Sequence, residues 1–253
     1  MTTLVKYAVE RGIARITLDS PHNRNALSSL LVQQLIDSLA AAAAEDGVRA
    51  VVLTHTGTTF CAGADLGEAA AAGGLKRGTA ELLAILNGIV EMPKPVVGVI
   101  DGNVRAGGMG LVGACDIVVA SSTSSFGFTE VRLGLAPAII SLTTLGRMTE
   151  RSASRYYLTG ETFSAATAER NGLISEAVPD IAAAEDALLA ALRLCSPQGL
   201  AESKPIVTRD TRAAIAAYGD EVMAMSARLF GSDEVKEGMA SFLEKRPPRW
   251  AEV

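Results

Sequence analysis

The stretch Pro95–Asp116, "PVVGVIDGNVRAGGMGLVGACD", limits what this chain can become more than any other. The apolar run Val96–Ile100 meets a glycine-rich turn, and a helix of small residues begins near Gly107. The pattern predicts a buried strand, a tight loop and a helix N-terminus. N–H groups in a helix's first turn have no intrahelical partner, and aligned peptide dipoles make that end favourable to negative charge. Gly107 and Gly108 place no side chain between those donors and a ligand. The spacing excludes the usual phosphate cradles: no Lys-Ser/Thr follows the glycines, and Gly102, Gly107, Gly108 and Gly110 do not compose GxGxxG. The expectation is an oxyanion site, with close packing as the plain alternative reading of the same glycines.

Around this stretch the chain alternates strands and helices. Ile13–Leu18 sets Ala14, Ile16 and Leu18 on one side and Arg15 and Thr17 on the other, the second arm of a hairpin turning at Arg11-Gly12. Leu31, Leu35 and Leu39 predict a helix from about Ser28 to Glu45, capped by Ser28 or Ser29. Buried strands are expected at Ala50–Thr54, Val96–Ile100 and Ile117–Ala120, with a helix striped by Leu82, Ile85, Leu86 and Ile89. Short loops between such elements imply an α/β core with largely parallel pairing. Beyond Glu130 helical periodicity takes over, and Ile215, Tyr218, Val222, Met225 and Leu229 mark one apolar helix face. Gly199–Pro205 reads as a hinge, so residues 1–198 are expected as the core and 199–253 as an all-helical region. That region is expected to fold onto its own core and onto a neighbouring subunit. The Ala- and Gly-rich "GEAAAAGGLKRG" is expected to be mobile.

Composition removes several function classes. A net charge of −5 with no basic patch argues against nucleic acid. There is no run of 18 apolar residues to span a membrane, and the opening "MTTLVKYAVERG" lacks a signal peptide's apolar stretch, so a cytoplasmic location is expected. Cys61, Cys115 and Cys195 are widely spaced without CxxC, and read as small buried residues rather than a disulfide framework or zinc site. His22 and His55 stand in no ligand-like cluster. No metal is expected, and the absence of GxSxG disfavours a serine hydrolase.

Two loops carry the candidate chemistry: "CAGAD" after Ala50–Thr54 and "RAGGMG" after Val96–Ile100. Ligands in parallel sheets collect at the carboxyl ends of strands. If Ala64 and Gly107 aim their N–H groups at one oxygen they form a two-donor oxyanion hole. Together with "NAL" at Asn25–Leu27, "FCAGADL" at Phe60–Leu66, "CDI" at Cys115–Ile117, "FGFTEVRLGLAP", "SPQGLAESK" and "FLEKR", these loops resemble the enoyl-CoA hydratase/isomerase (crotonase) family along nearly the whole chain.

The resemblance implies a spiral of ββα repeats with a C-terminal helical region that builds homotrimers, commonly paired into hexamers. It implies a coenzyme A thioester as substrate, its oxygen held by the N–H groups of Ala64 and Gly107, with no separate cofactor. The coenzyme-binding set it suggests comprises Arg24, Ala26, Ala62, Gly63, Asp65, Leu66, Gly108 and Gly110, with Phe242 and Lys245 serving an adjoining subunit. Of the two glutamates usual in the family's hydratases, one matches Glu130 and the other falls on Gly110. A glycine cannot move a proton, so Glu130 is expected to act alone. Addition of water to a 2-enoyl-CoA leads, a one-glutamate isomerase follows, and a non-catalytic thioester-binding protein is third. Branched or glutaconyl-type thioesters are one suggested branch. Arg132 is open between pairing with Glu130, an acidic substrate group and an unrelated ion pair. Asp65 reads as a helix N-cap and Asp116 as a structural turn. Leu66, Leu82 and Ile140 are candidates both for the acyl pocket and for the core.

Overall fold

The structure is a computed structural model that describes residues 2–69 and 74–252. β1 (Val5–Glu10) and β2 (Ile13–Leu18) form the expected hairpin, with Arg11 and Gly12 at positive φ. α1 (Ser29–Ala44) follows, its cap Ser28 accepting from the Leu31 N–H at 3.4 Å. One plan then repeats three times. β3 (Ala50–His55) and β4 (Thr59–Cys61) precede α2 (Leu66–Ala69) and α3 (Gly74–Glu91). β5 (Val96–Ile100) and β6 (Asn103–Arg105) precede α4 (Gly107–Ala114). β7 (Ile117–Ser121) and β8 (Ser125–Gly127) precede a 3₁₀ turn, Glu130–Leu133, and α5 (Ala138–Thr144). The rest is α6 (Glu150–Thr159), β9 (Thr162–Ser164), α7 (Ala165–Arg170), β10 (Glu176–Val178), α8 (Ile181–Leu194), α9 (Pro197–Val207), α10 (Arg209–Phe230) and α11 (Asp233–Glu244).

Each repeat gives its first strand to a six-stranded sheet, β1-β2-β3-β5-β7-β10, and its second to a four-stranded sheet, β4-β6-β8-β9. Pairing is parallel except at β1–β2 and β8–β9. Strand pleat divides the larger sheet's apolar residues between two cores. Val51, Leu53 and Val96 face the main core with Leu31, Leu35, Ile85 and Leu86, while Val52, Val97 and Val99 meet Leu189 and Leu192 of α8. The long apolar runs expected as strands are therefore buried on both faces, as parallel sheets require.

Several expectations need correction. Gly199–Pro205 is not a hinge but lies within α9, which Ser196 caps by accepting from Gly199 N–H and which carries Pro197 at its start. β9 and β10 lie in the segment read as helical. Val222 is buried and Ile215 and Met225 pack on the main core, yet Tyr218 is exposed, so the α10 stripe is only partly covered by its own chain. Cys61 and Cys115 are buried as expected, and burial pushes both thiols up to about 12, but Cys195 is exposed. Within "GEAAAAGGLKRG", residues 70–73 lie outside the described residues.

Candidate active site

The two loops singled out from sequence do not leave β3 and β5 directly. They leave the three-residue strands β4 and β6, which pair in parallel with each other, β6 pairing in parallel with β8 on its other side. The segments after Cys61, Arg105 and Gly127 thus emerge from the same edge of the smaller sheet, at the carboxyl ends of adjacent strands. The first holds Ala64, the second Gly107 and the third Glu130.

The first two loops touch. A Cβ on Gly63 would stand 3.3 Å from Gly107 N and only 2.6 Å from Ala106 Cβ. Gly63 also takes φ +91°, a conformation L side chains rarely adopt. Its carbonyl accepts from Leu27 N–H at 2.8 Å, and Leu27 bridges Ala64 in parallel. Ala106, at φ +46° and ψ −122°, carries a strain usual only for glycine as it turns the chain into α4. The turn is braced: Ala106 N–H donates to Gly127 O at 3.2 Å, and the Arg105 guanidinium donates to Val104 O and Ser125 O at 2.8 and 2.7 Å. Neither the Ala64 nor the Gly107 N–H has an acceptor among the described residues.

Glu130 begins the 3₁₀ turn after β8. Its Oε2 is buried without a hydrogen-bond partner, and burial raises its carboxyl to about 7. An acid that titrates near neutrality can both take and return a proton. Arg132 does not pair with it; its Nε–H donates to Thr159 O at 3.3 Å. The turn is closed by Gly134 and Leu135 N–H groups on Glu130 O, and α11 packs against it.

The remaining candidates divide. Ala62 N–H donates to the carbonyl of Arg24, an exposed residue at φ +59°, which ties the Arg24–Ala26 segment to the Cys61–Asp65 loop. Ala26 is buried. Asp65 accepts from Gly67 and Glu68 N–H at 3.0 and 3.3 Å, as an N-cap for α2, whose first residue is Leu66. Gly108 packs on Cys61, whose Cβ would be 2.8 Å from an added Cβ. Gly110 is buried against Ile140 and Leu86, two core residues. Leu82 is half-buried near Gly107. Phe242 and Lys245 sit at the end of α11, Phe242 exposed. Among the described residues, no cluster of His, Cys, Asp or Glu is suited to a metal, and no helix is long and apolar enough to cross a membrane.

Residues 8–253 match the family model described as enoyl-CoA hydratase/isomerase. The chain belongs to this family. A Thermus thermophilus protein provisionally named enoyl-CoA hydratase is 34% identical over 256 residues, with 96% of this chain and 99% of that protein covered. The 2,3-dehydroadipyl-CoA hydratase of Escherichia coli is 31% identical over 250 residues, covering 94% and 95%. The crystal structure of an enoyl-CoA hydratase from Mycobacterium avium superposes with a TM-score of 0.92 at 51% identity, covering 99% and 100%. The crotonase fold expected from the resemblance is therefore the fold found.

Within this family fold, residues with no sequence signal of their own hold the loops in place. Asn25, fully buried at φ +53°, accepts from Ser20 N–H and donates to Thr56 O and Thr59 O. His55 donates to Thr56 O and accepts from Asp101 N–H, and burial lowers its pKa, so it is a neutral strut. Only "NAL" pointed toward Asn25, and it did so through resemblance rather than chemistry.

Proposed function

We propose that this protein adds water across the 2,3 double bond of an enoyl-CoA, with Glu130 as the single acid/base and the Ala64 and Gly107 N–H groups holding the thioester oxygen. The observation that supports this reading is that the segments following three adjacent parallel strands carry two amides without an acceptor among the described residues and a buried carboxyl without a partner. Ionised Glu130 takes a proton from water as its oxygen bonds to C3. The C2–C3 π pair moves toward the thioester, giving an enolate whose oxygen lies between the two amides; each such donor is worth roughly 2.7–4 kcal/mol. Glu130 then returns the proton to C2. Coenzyme A enters as part of the substrate, and no further cofactor takes part.

The Gly110 packing favours a second reading. With one carboxylate, Glu130 can instead carry a proton between C2 and C4 of a 3-enoyl-CoA. Enoyl-thioester absorbance separates the two: hydration lowers it with formation of a 3-hydroxyacyl-CoA, and isomerisation of a 3-enoyl-CoA raises it. The panel should include straight, branched, glutaconyl and 2,3-dehydroadipyl thioesters. Tight binding without turnover of any of them would leave a non-catalytic thioester-binding protein.

The same reading includes a homotrimer or homohexamer. Exposed Leu145, Val207 and Tyr218 border a groove of about 450 Å³ between α5 and α10 that is left open among the described residues. Light scattering on the eluting protein tests it, and a monomer at micromolar concentration would remove it.

A further inference from the structure

The face of α4 that meets α5 is packed as closely as glycine permits. A Cβ on Gly110 would stand 2.6 Å from Ile140 Cγ2, 3.1 Å from Ile140 Cβ and 3.3 Å from Leu86 Cδ1. One turn on, a Cβ on Gly113 would stand 2.7 Å from Thr143 O. Ile140 and Leu86 are buried, so neither can swing into solvent to make room.

Ile140 is also braced. Its carbonyl accepts from Thr143 Oγ1 at 3.2 Å and Thr144 Oγ1 at 2.7 Å, and Thr143 Oγ1 reaches Gly110 O at 3.0 Å. The hydroxyl proton of Thr144 is committed to Ile140 O, so in its 2.5 Å contact with Tyr157 the phenol donates. The Tyr157 ring lies 4.4 Å from that of Phe128, two residues before Glu130. A braced wall therefore runs from α4 through Ile140 to the segment that carries Glu130.

We propose that Ile140 determines how many proton carriers this site has. With Leu86 it fills the volume that an ionisable side chain at position 110 would need, and Gly110 and Ile140 form a matched pair in which neither can change alone. This rests on the reading of Glu130 as the acid/base. Where the family resemblance sets a carboxylate, this chain then has a repacked interface rather than a point loss, and the proton given to C2 is the one Glu130 took from water.

Two linked measurements test the pair. Melting is compared for wild type, Gly110→Ala, Ile140→Gly and the double variant. Overpacking should lower the melting temperature of Gly110→Ala by about 2–12 °C. The double variant should melt higher than the two separate losses predict. In Gly110→Glu/Ile140→Gly the pH dependence of hydration should gain a second ionisation that wild type lacks, whereas Gly110→Glu alone should lose most activity and melt early. Additive melting losses, a Gly110→Glu protein as stable as wild type, or an active double variant that keeps a single ionisation would each overturn the proposal. The melting cycle needs no substrate, so a wild type inert toward every enoyl-CoA would defeat the hydration reading while the cycle still decides on Ile140.

Discussion

Glu130 links stability to the proposed chemistry in one residue. Its carboxyl is raised to about 7 because the folded chain surrounds it with little that favours charge. Between roughly pH 4.5 and 7 the folded state holds a proton that the unfolded chain has released, so stability falls as pH rises through that window and levels off above it. The span corresponds to about 3 kcal/mol at most. Glu130→Gln should flatten this dependence and melt above wild type at pH 8, as read by thermal melts across pH. The same variant should lose about 10²–10⁴-fold in hydration rate. In wild type, kcat/KM should rise with one ionisation near pH 7 because the base form accepts the proton from water. Undiminished turnover by Glu130→Gln would sink its catalytic assignment. In sequence, the family pattern "FTEVRLG" pointed to Glu130, and the same resemblance set its absent partner at Gly110. Whether Arg132 reaches Glu130 or Thr159 O depends on how α6 ends beside the turn, at Gly160, whose added Cβ would lie 3.0 Å from Arg132 Cγ. No local spacing encodes that.

At the scale of elements, legibility follows length. β3, β5 and β7 are apolar runs of five or six residues and can be read directly, whereas β4, β6 and β8 have three residues each, too few to show a period. Those short strands nevertheless aim the candidate site, so the sequence pattern alone put the loops on the wrong strands. Gly199 and Pro205 misled for a related reason: punctuation residues outweighed Ser196 and Pro197, whose cap and first-turn positions start α9. The packing of α11 on the Glu130–Leu133 turn had no sequence signal at all. A Cβ on Gly238 would stand 2.5 Å from Leu133 O and 2.6 Å from Leu133 C. Gly238→Ala must therefore push the turn or bend α11. A displacement of about 1 Å at the proposed acid/base can cost about 10²-fold in rate. The expected result is a kcat lowered by roughly that factor with KM changed only a few-fold, measured by steady-state kinetics on the preferred thioester. A KM effect of the same size with kcat intact would mean that α11 serves binding instead.

Across the whole molecule, one buried ion pair fastens the C-terminal helices to the sheets. Lys204 of α9 is 3% exposed, and its ammonium spends its three protons on Ile89 O at 2.7 Å, Lys94 O at 2.9 Å and Asp116 Oδ2 at 2.9 Å. Asp116 Oδ2 also accepts from Val96 N–H, so a single lysine ties α9 to the end of α3, the start of β5 and the start of β7. Burial lowers the lysine's pKa while the Asp116 charge opposes that shift. Asp116 Oδ1 is buried without a partner, which leaves the pair dependent on the contact it does make. Lys204→Met strands that carboxylate in the interior and should cost about 3–5 kcal/mol in denaturant unfolding. Lys204→Met with Asp116→Asn removes both charges and should cost less than Lys204→Met alone, because the larger penalty belongs to the unpaired charge and not to the lost attraction. The pair lies at the amino ends of β5 and β7 in the larger sheet, whereas the segment that carries Glu130 follows β8 of the smaller one, so kcat/KM of whatever folded protein remains should stay near wild type. If the double variant proved no more stable than the single, Lys204 would be holding the chain through the Ile89 and Lys94 carbonyls, and the tie between helices and sheets would be one of hydrogen bonds rather than of charge.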